Sequence, residues 1–96
     1  MSYVFHPEAE VEFNEAIEWY ESRELGLGLD FAAQVHAAVQ RAQAFPLAWQ
    51  EMGGDIRRAL VHRFPYGVLY VLERDRLLII AVMHLHRKPG YWQNRT

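Results

Sequence analysis

Ninety-six residues, 51% hydrophobic and 23% charged, make one domain spanning 1–96 with no room for a second core. The absence of cysteine removes disulfides and thiolate sites, and the longest apolar run, Leu77 to Met83, falls far short of the ~20 residues a membrane helix needs. The start Met1-Ser2-Tyr3-Val4-Phe5 lacks the basic head and long apolar stretch of a secretory signal, so the expectation is a cytoplasmic protein without a membrane partner.

The net charge of −2 conceals an asymmetry. Residues 1–50 carry eight acidic and two basic side chains, whereas residues 51–96 carry eight basic and four acidic ones. An anionic partner would therefore meet the second half, while the acidic whole gives little support to general nucleic-acid binding.

In chain order, Tyr3-Val4-Phe5 is a short apolar strand ended by His6-Pro7, and proline in a first helical turn uses a position whose N–H would be unpaired anyway. Ala9, Phe13, Ala16, Ile17 and Tyr20 then recur at helical spacing, which predicts a helix from about Pro7 to Arg23. Its seven glutamates, Glu8 to Glu24, recur regularly off that stripe and read as a solvated face, not as paired catalytic carboxylates. Leu25-Gly26-Leu27-Gly28-Leu29 breaks the period. A second stripe through Phe31, Val35, Ala38, Val39, Ala42 and Phe45 ends at Pro46, giving an antiparallel helical hairpin. Trp19 and Tyr20 are expected in the core or on the hairpin face. Residues 47–55 look like a mobile loop, with Trp49 as an exposed anchor for a partner.

Strand periodicity follows. Ile56 to His62 places Arg58, Leu60 and His62 on one face and Arg57, Ala59 and Val61 on the other. Phe64-Pro65-Tyr66-Gly67 reads as a turn, Val68 to Leu72 as a strand, Glu73-Arg74-Asp75-Arg76 as a second turn, and Leu77 to His84 as the last strand. The fold class is α+β with the order β-α-α-β-β-β, the helical hairpin covering one face of a small, mainly antiparallel sheet. The last two strands do not alternate apolar with polar, as a sheet covered on one face should. Either Tyr91, Trp92 and the tail fold back over the second face, or that face is an apolar groove for another chain; the groove is the favoured expectation.

Cationic and aromatic side chains gather around these strands beyond what a sheet requires. Arg58, Arg63, Tyr66, His84, Arg87, Tyr91 and Trp92 are the candidate active surface, with arginines suited to clamp phosphate and rings suited to stack. Arg57-Arg58 reads equally well as a solvated strand end, and Tyr66 as a residue packing its turn. His62, His84 and His86 suggest a zinc site only until one asks for a supporting cysteine or carboxylate, so neither metal nor cofactor is expected.

Phe5-His6-Pro7-Glu8-Ala9 opening a helix, Trp19-Tyr20-Glu21, Gly26-Leu27-Gly28 with Phe31, Arg57-Arg58, Arg63-Phe64-Pro65-Tyr66 with Tyr70, and Ala81-Val82 with His84, Arg87, Pro89, Tyr91 and Trp92 together resemble the RelE/ParE superfamily of toxins. The arginine, Phe-Pro-Tyr and Tyr-Trp signatures are more similar to the ParE branch, often called plasmid stabilisation proteins. That resemblance implies the toxin of a type II toxin–antitoxin module, held in a hetero-oligomer by a cognate, ParD-like antitoxin that binds the helical hairpin and the apolar sheet face. It implies DNA gyrase as the target. The alternatives are a metal-independent, ribosome-dependent messenger RNA endoribonuclease of the RelE kind, and a non-toxic binding module. Against the nuclease, His86 and Trp92 stand where RelE-type chains carry an Arg and a Tyr, and Lys88 is the one lysine.

Overall fold

The computed structural model describes residues 1–96. Strand β1 (Ser2–Phe5) leads into helices α1 (Pro7–Arg23) and α2 (Leu27–Ala44), followed by strands β2 (Gln50–Glu51), β3 (Ile56–Leu60), β4 (Tyr66–Glu73) and β5 (Arg76–His84), and a closing 3₁₀ turn (Gln93–Arg95). The sheet order is β1-β5-β4-β3-β2; only the β1–β5 pairing is parallel. The α+β class and the helical hairpin on one sheet face are as the sequence predicts.

Local chemistry explains the hairpin. The His6 side chain accepts from the Glu8 N–H at 3.1 Å, capping α1 ahead of Pro7. Between the helices Gly26 adopts φ +88°, and the Glu21 carboxylate accepts from the N–H groups of Gly26 (2.8 Å) and Gly28 (2.9 Å), so a side chain of α1 supplies the N-terminal cap of α2. A methyl on Gly28 would lie 2.6 Å from the Ile17 carbonyl oxygen, so the missing side chain is what lets α2 approach α1 this closely at that point. Ala9, Phe13 and Ala16 of α1 and Phe31, Val35, Ala38, Val39 and Ala42 of α2 meet Ala59, Val68, Tyr70, Leu77, Ile79 and Val82 of the sheet in the main core.

Four expectations need correction. Residues 47–55 are not a free loop: Gln50–Glu51 pair with Arg57 and Arg58, the Tyr70 hydroxyl donates to the Pro46 carbonyl (2.6 Å), and Arg57 donates to the Trp49 carbonyl (2.9 Å). Trp49 is accordingly no exposed anchor; it packs against the main core and donates to the Arg41 carbonyl at 3.2 Å. Tyr66 and Gly67 are not turn residues but the start of β4, and the turn is tightened onto Arg63, at φ 71°.

The fourth correction concerns the second sheet face, which is no open groove. Ile56, Leu69, Ile80, Ala81 and Met83 form a separate core there, closed by Trp92, 2% exposed, with Tyr91 beside it. The non-alternating run in β5 has a simple cause. Leu69 pairs with Ala81 and Tyr70 with Ile79, so Ile80 is an extra residue in a β-bulge. Ile79 and Val82 consequently face the helices while Ile80, Ala81 and Met83 face the tail.

Beyond Phe5 no strand continues alongside β5, and side chains satisfy its edge instead. Glu12 Oε1 accepts from the Val82 N–H (3.0 Å), and Arg95 Nη1 donates to the Ile80 carbonyl (2.9 Å). The two side chains also pair with each other at 3.0 Å, and Arg95 reaches Glu8 at 3.0 Å, which ties the C-terminal tail to α1.

Candidate functional site

Where α1 leaves the end of β5, a cleft of about 530 Å³ opens. Helical spacing aims Glu12, Glu15, Ala16, Trp19 and Tyr20 into it from α1; Pro65 and Tyr66 come from the start of β4, Val82 and His84 from the end of β5, and Arg87 from the segment behind it. The bulge at Ile80 is what turns Val82 and His84 to this side. Aromatic rings run outward from the core: Phe31 contacts Tyr66 (4.9 Å between centroids), Tyr66 contacts His84 (5.1 Å), and Tyr20 lies between Tyr66 (6.2 Å) and Trp19 (5.1 Å). Trp19, 53% exposed, ends the series at the surface.

The electrostatics give this cleft hydrogen-bond donors on its strand side and carboxylates on its α1 side. Burial raises the pKa of Tyr20, and burial, then Tyr20, then Glu12 raise that of Tyr66, so both hydroxyls stay protonated at neutral pH and donate. His84 Nδ1 accepts from the His86 N–H (3.1 Å), which puts the proton of the neutral ring on Nε2. Arg87 Nη1 lies 3.8 Å from Glu12 Oε2, and the Arg87 guanidinium covers the Tyr91 ring at 3.6 Å. Glu12 Oε2 and the Tyr91 hydroxyl are both buried without a regular hydrogen bond. Burial and the facing Glu12 carboxylate together push the Tyr91 hydroxyl up to about 12, against the opposing pull of Arg87 and Arg95. Burial also disfavours the charge on Arg95, but Glu12 and Glu8 outweigh it and leave the pKa raised.

Of the seven candidate residues, Tyr66, His84 and Arg87 come together in the cleft, and Tyr91 adjoins it beneath Arg87. The other three lie elsewhere. Arg58 extends across Gly67 and donates to Gln50 Oε1 at 2.6 Å; Arg63 is exposed at the β3–β4 turn, 3.7 Å from Asp30; Trp92 is core. Sequence reasoning missed Glu12, Glu15, Trp19 and Tyr20. Their spacing does place them on one flank of α1, but the glutamates looked like solvated surface and the rings like core or hairpin-face residues. No group of three or more His, Cys, Asp or Glu is placed to hold a metal ion. No helix is long and apolar enough to cross a membrane.

The family model described as the ParE toxin of the type II toxin–antitoxin system parDE matches residues 3–89. The chain belongs to the ParE toxin family. Among solved structures, it is similar to a chain from the chromosomal ParDE toxin–antitoxin system of P. aeruginosa, with a TM-score of 0.74 and 15% identity over 90% of this chain and 97% of that one. At that identity the likeness establishes a shared ParE fold. No curated protein matches in sequence. The matched residues 3–89 take in every side chain lining the cleft, whereas Tyr91, Trp92 and Arg95 of the tail lie beyond them.

Proposed function

We propose that this ParE-family chain arrests growth by acting on DNA gyrase in the cytoplasm and is neutralised in a complex with a cognate, ParD-like antitoxin. The observation that carries this reading is the family match over residues 3–89; the likeness to a chain of a ParDE system supports an antitoxin as the partner. Because the second sheet face is filled by the chain's own Trp92, the surface left for that partner is the helical hairpin with the cleft beside α1. Leu25, 93% exposed, and Trp19 stand on that side as apolar contact points. Within the cleft, Tyr66, His84 and Arg87 are the proposed active surface.

The RelE-like alternative has one observation in its favour, the convergence of these three side chains. Against it, the two tyrosines of the cleft have raised pKa values and are poor general bases at neutral pH, and Arg87, which would have to stabilise a phosphorane, already faces Glu12. Purified protein assayed on gyrase supercoiling and on ribosome-bound message decides between them. Inhibited supercoiling with intact message is the expected result; cleaved message with unaffected supercoiling would replace gyrase by the ribosome as target, and activity on neither would make the chain a binding module.

A further inference from the structure

We propose that the cleft between α1 and the β4–β5 end receives an arginine or lysine side chain of the antitoxin, an assignment that rests on the toxin–antitoxin function proposed for the chain. The cleft combines two carboxylates, Glu12 and Glu15, with aromatic walls, and its own cation, Arg87, is already engaged by Glu12 and the Tyr91 ring. Glu15 stands at its mouth and makes no ion pair, in contrast to Glu8 and Glu12 on the same flank, which are taken by Arg95 and Arg87. Trp19, Tyr20 and Tyr66 present their rings around it. A cation between a carboxylate and ring faces is held by both charge and quadrupole.

The molecule already uses this recognition three times with its own arginines. Arg87 lies 3.6 Å and Arg95 5.0 Å over Tyr91 while pairing with α1 glutamates, and Arg63 lies 5.4 Å over Phe64 while pairing with Asp30; Arg23, 4.4 Å over the Trp19 ring, has the ring alone. Along α1 the tail arginines satisfy the glutamates only as far as Glu12. Glu10, Glu15, Glu18 and Glu24 remain without ion pairs, so any segment laid along this helix enters a negative field, and an acidic or neutral one forgoes that attraction.

The test uses the full chain and three probes: N-acetylarginine methylamide, its neutral isostere N-acetylcitrulline methylamide, and N-acetylphenylalanine methylamide, each titrated while the Trp19 indole N–H and the Tyr66 and His84 ring signals are followed by NMR. The arginine probe is expected to shift these signals, with citrulline binding about fivefold more weakly and Glu15→Gln costing about fivefold, while Glu18→Gln changes nothing. Equal binding of citrulline, tighter binding of the phenylalanine probe, no shift at the cleft, or indifference to Glu15→Gln overturns the assignment. The same variants are then measured in complex with the product of the neighbouring reading frame. A complex that forms but ignores Glu15→Gln also overturns it, whereas failure to form any complex counts against the toxin–antitoxin reading and leaves the arginine probe to decide the chemistry of the cleft.

Discussion

Replacing Arg95 with alanine would remove four contacts at once: the ion pairs to Glu12 and Glu8, each 3.0 Å, the hydrogen bond to the Ile80 carbonyl at 2.9 Å, and the guanidinium over the Tyr91 ring at 5.0 Å. The Arg95 and Glu12 side chains are only 11% and 13% exposed, so the variant leaves Glu12 largely buried with Arg87 as its nearest remaining cation, at 3.8 Å. Breaking a fully buried pair from one side costs about 3–5 kcal/mol; here the rim position and the surviving Arg87 reduce this to about 2–3 kcal/mol. A domain of this size has about 5–15 kcal/mol in total, so the loss is a large fraction. Urea unfolding gives the magnitude, and amide exchange gives the place, because the Val82 N–H, held by Glu12, and the backbone around Trp92 should lose protection while the α2 amides lose it only in proportion to global stability. Adding Glu12→Gln keeps an acceptor for Val82 and removes the uncompensated charge, which should restore about 1–2 kcal/mol. An Arg95→Ala protein that loses less than about 0.5 kcal/mol, with Val82 still protected, would refute the claim that this network holds the tail.

Gly28→Ala should destabilise by about 1–3 kcal/mol, since the new methyl meets the Ile17 backbone at 2.6 Å, whereas Gly67→Ala meets only the flexible Arg58 stem at 2.8 Å and should cost less while detaching Arg58 from Gln50; thermal melts compare the two. Tyr91→Phe removes a buried hydroxyl without a regular partner and should leave stability at pH 7 unchanged or about 1 kcal/mol higher. The pH dependence has a definite sign: with an ordinary pKa of 10.0 in the unfolded chain and about 12 in the folded one, the Tyr91 contribution is intact below pH 10 and lost as pH rises towards 12, so Tyr91→Phe should flatten the alkaline end of a stability–pH curve. His84→Ala with Arg87→Ala should abolish growth arrest on expression, with folding retained, whereas Arg58→Ala, on the other face of the sheet, should leave arrest in place; a fully toxic double variant would remove the cleft from the mechanism.

The helices were legible because their punctuation is local: Pro7, Gly26 and Pro46 bracket two apolar stripes, and α1 and α2 begin and end within three residues of them. The α+β layering and the antiparallel β3–β4–β5 order were equally legible from turn residues and run lengths. What escaped depends on contacts distant in sequence. Glu12 is indistinguishable from its six neighbouring glutamates until the tail returns with Arg95, and Glu21 looks like one more surface acid until α2 starts beneath it. Ile80 is an extra residue inside an all-apolar run, where no change of polarity marks the slip, so the run suggested a two-sided apolar sheet awaiting a partner. The tryptophans illustrate the same limit. Trp92, assigned to the active surface, is core; Trp49, assigned to the surface, packs inward; Trp19, expected in the core or on the hairpin face, stands on that face at the cleft mouth.

The single inserted residue at Ile80 also governs how the end of β5 must be aligned with related chains. Every position after it has its facing inverted relative to an unbulged strand of the same length, which would turn Val82 and His84 away from α1 and present Ala81 and Met83 in their place, whereas deleting Ile80 would restore regular pairing and keep Val82 and His84 towards α1. A relative without the bulge that carries a histidine aligned to His84 without a gap would have that ring beneath its tail, and the counterpart of His84 in such a chain should be sought one residue away.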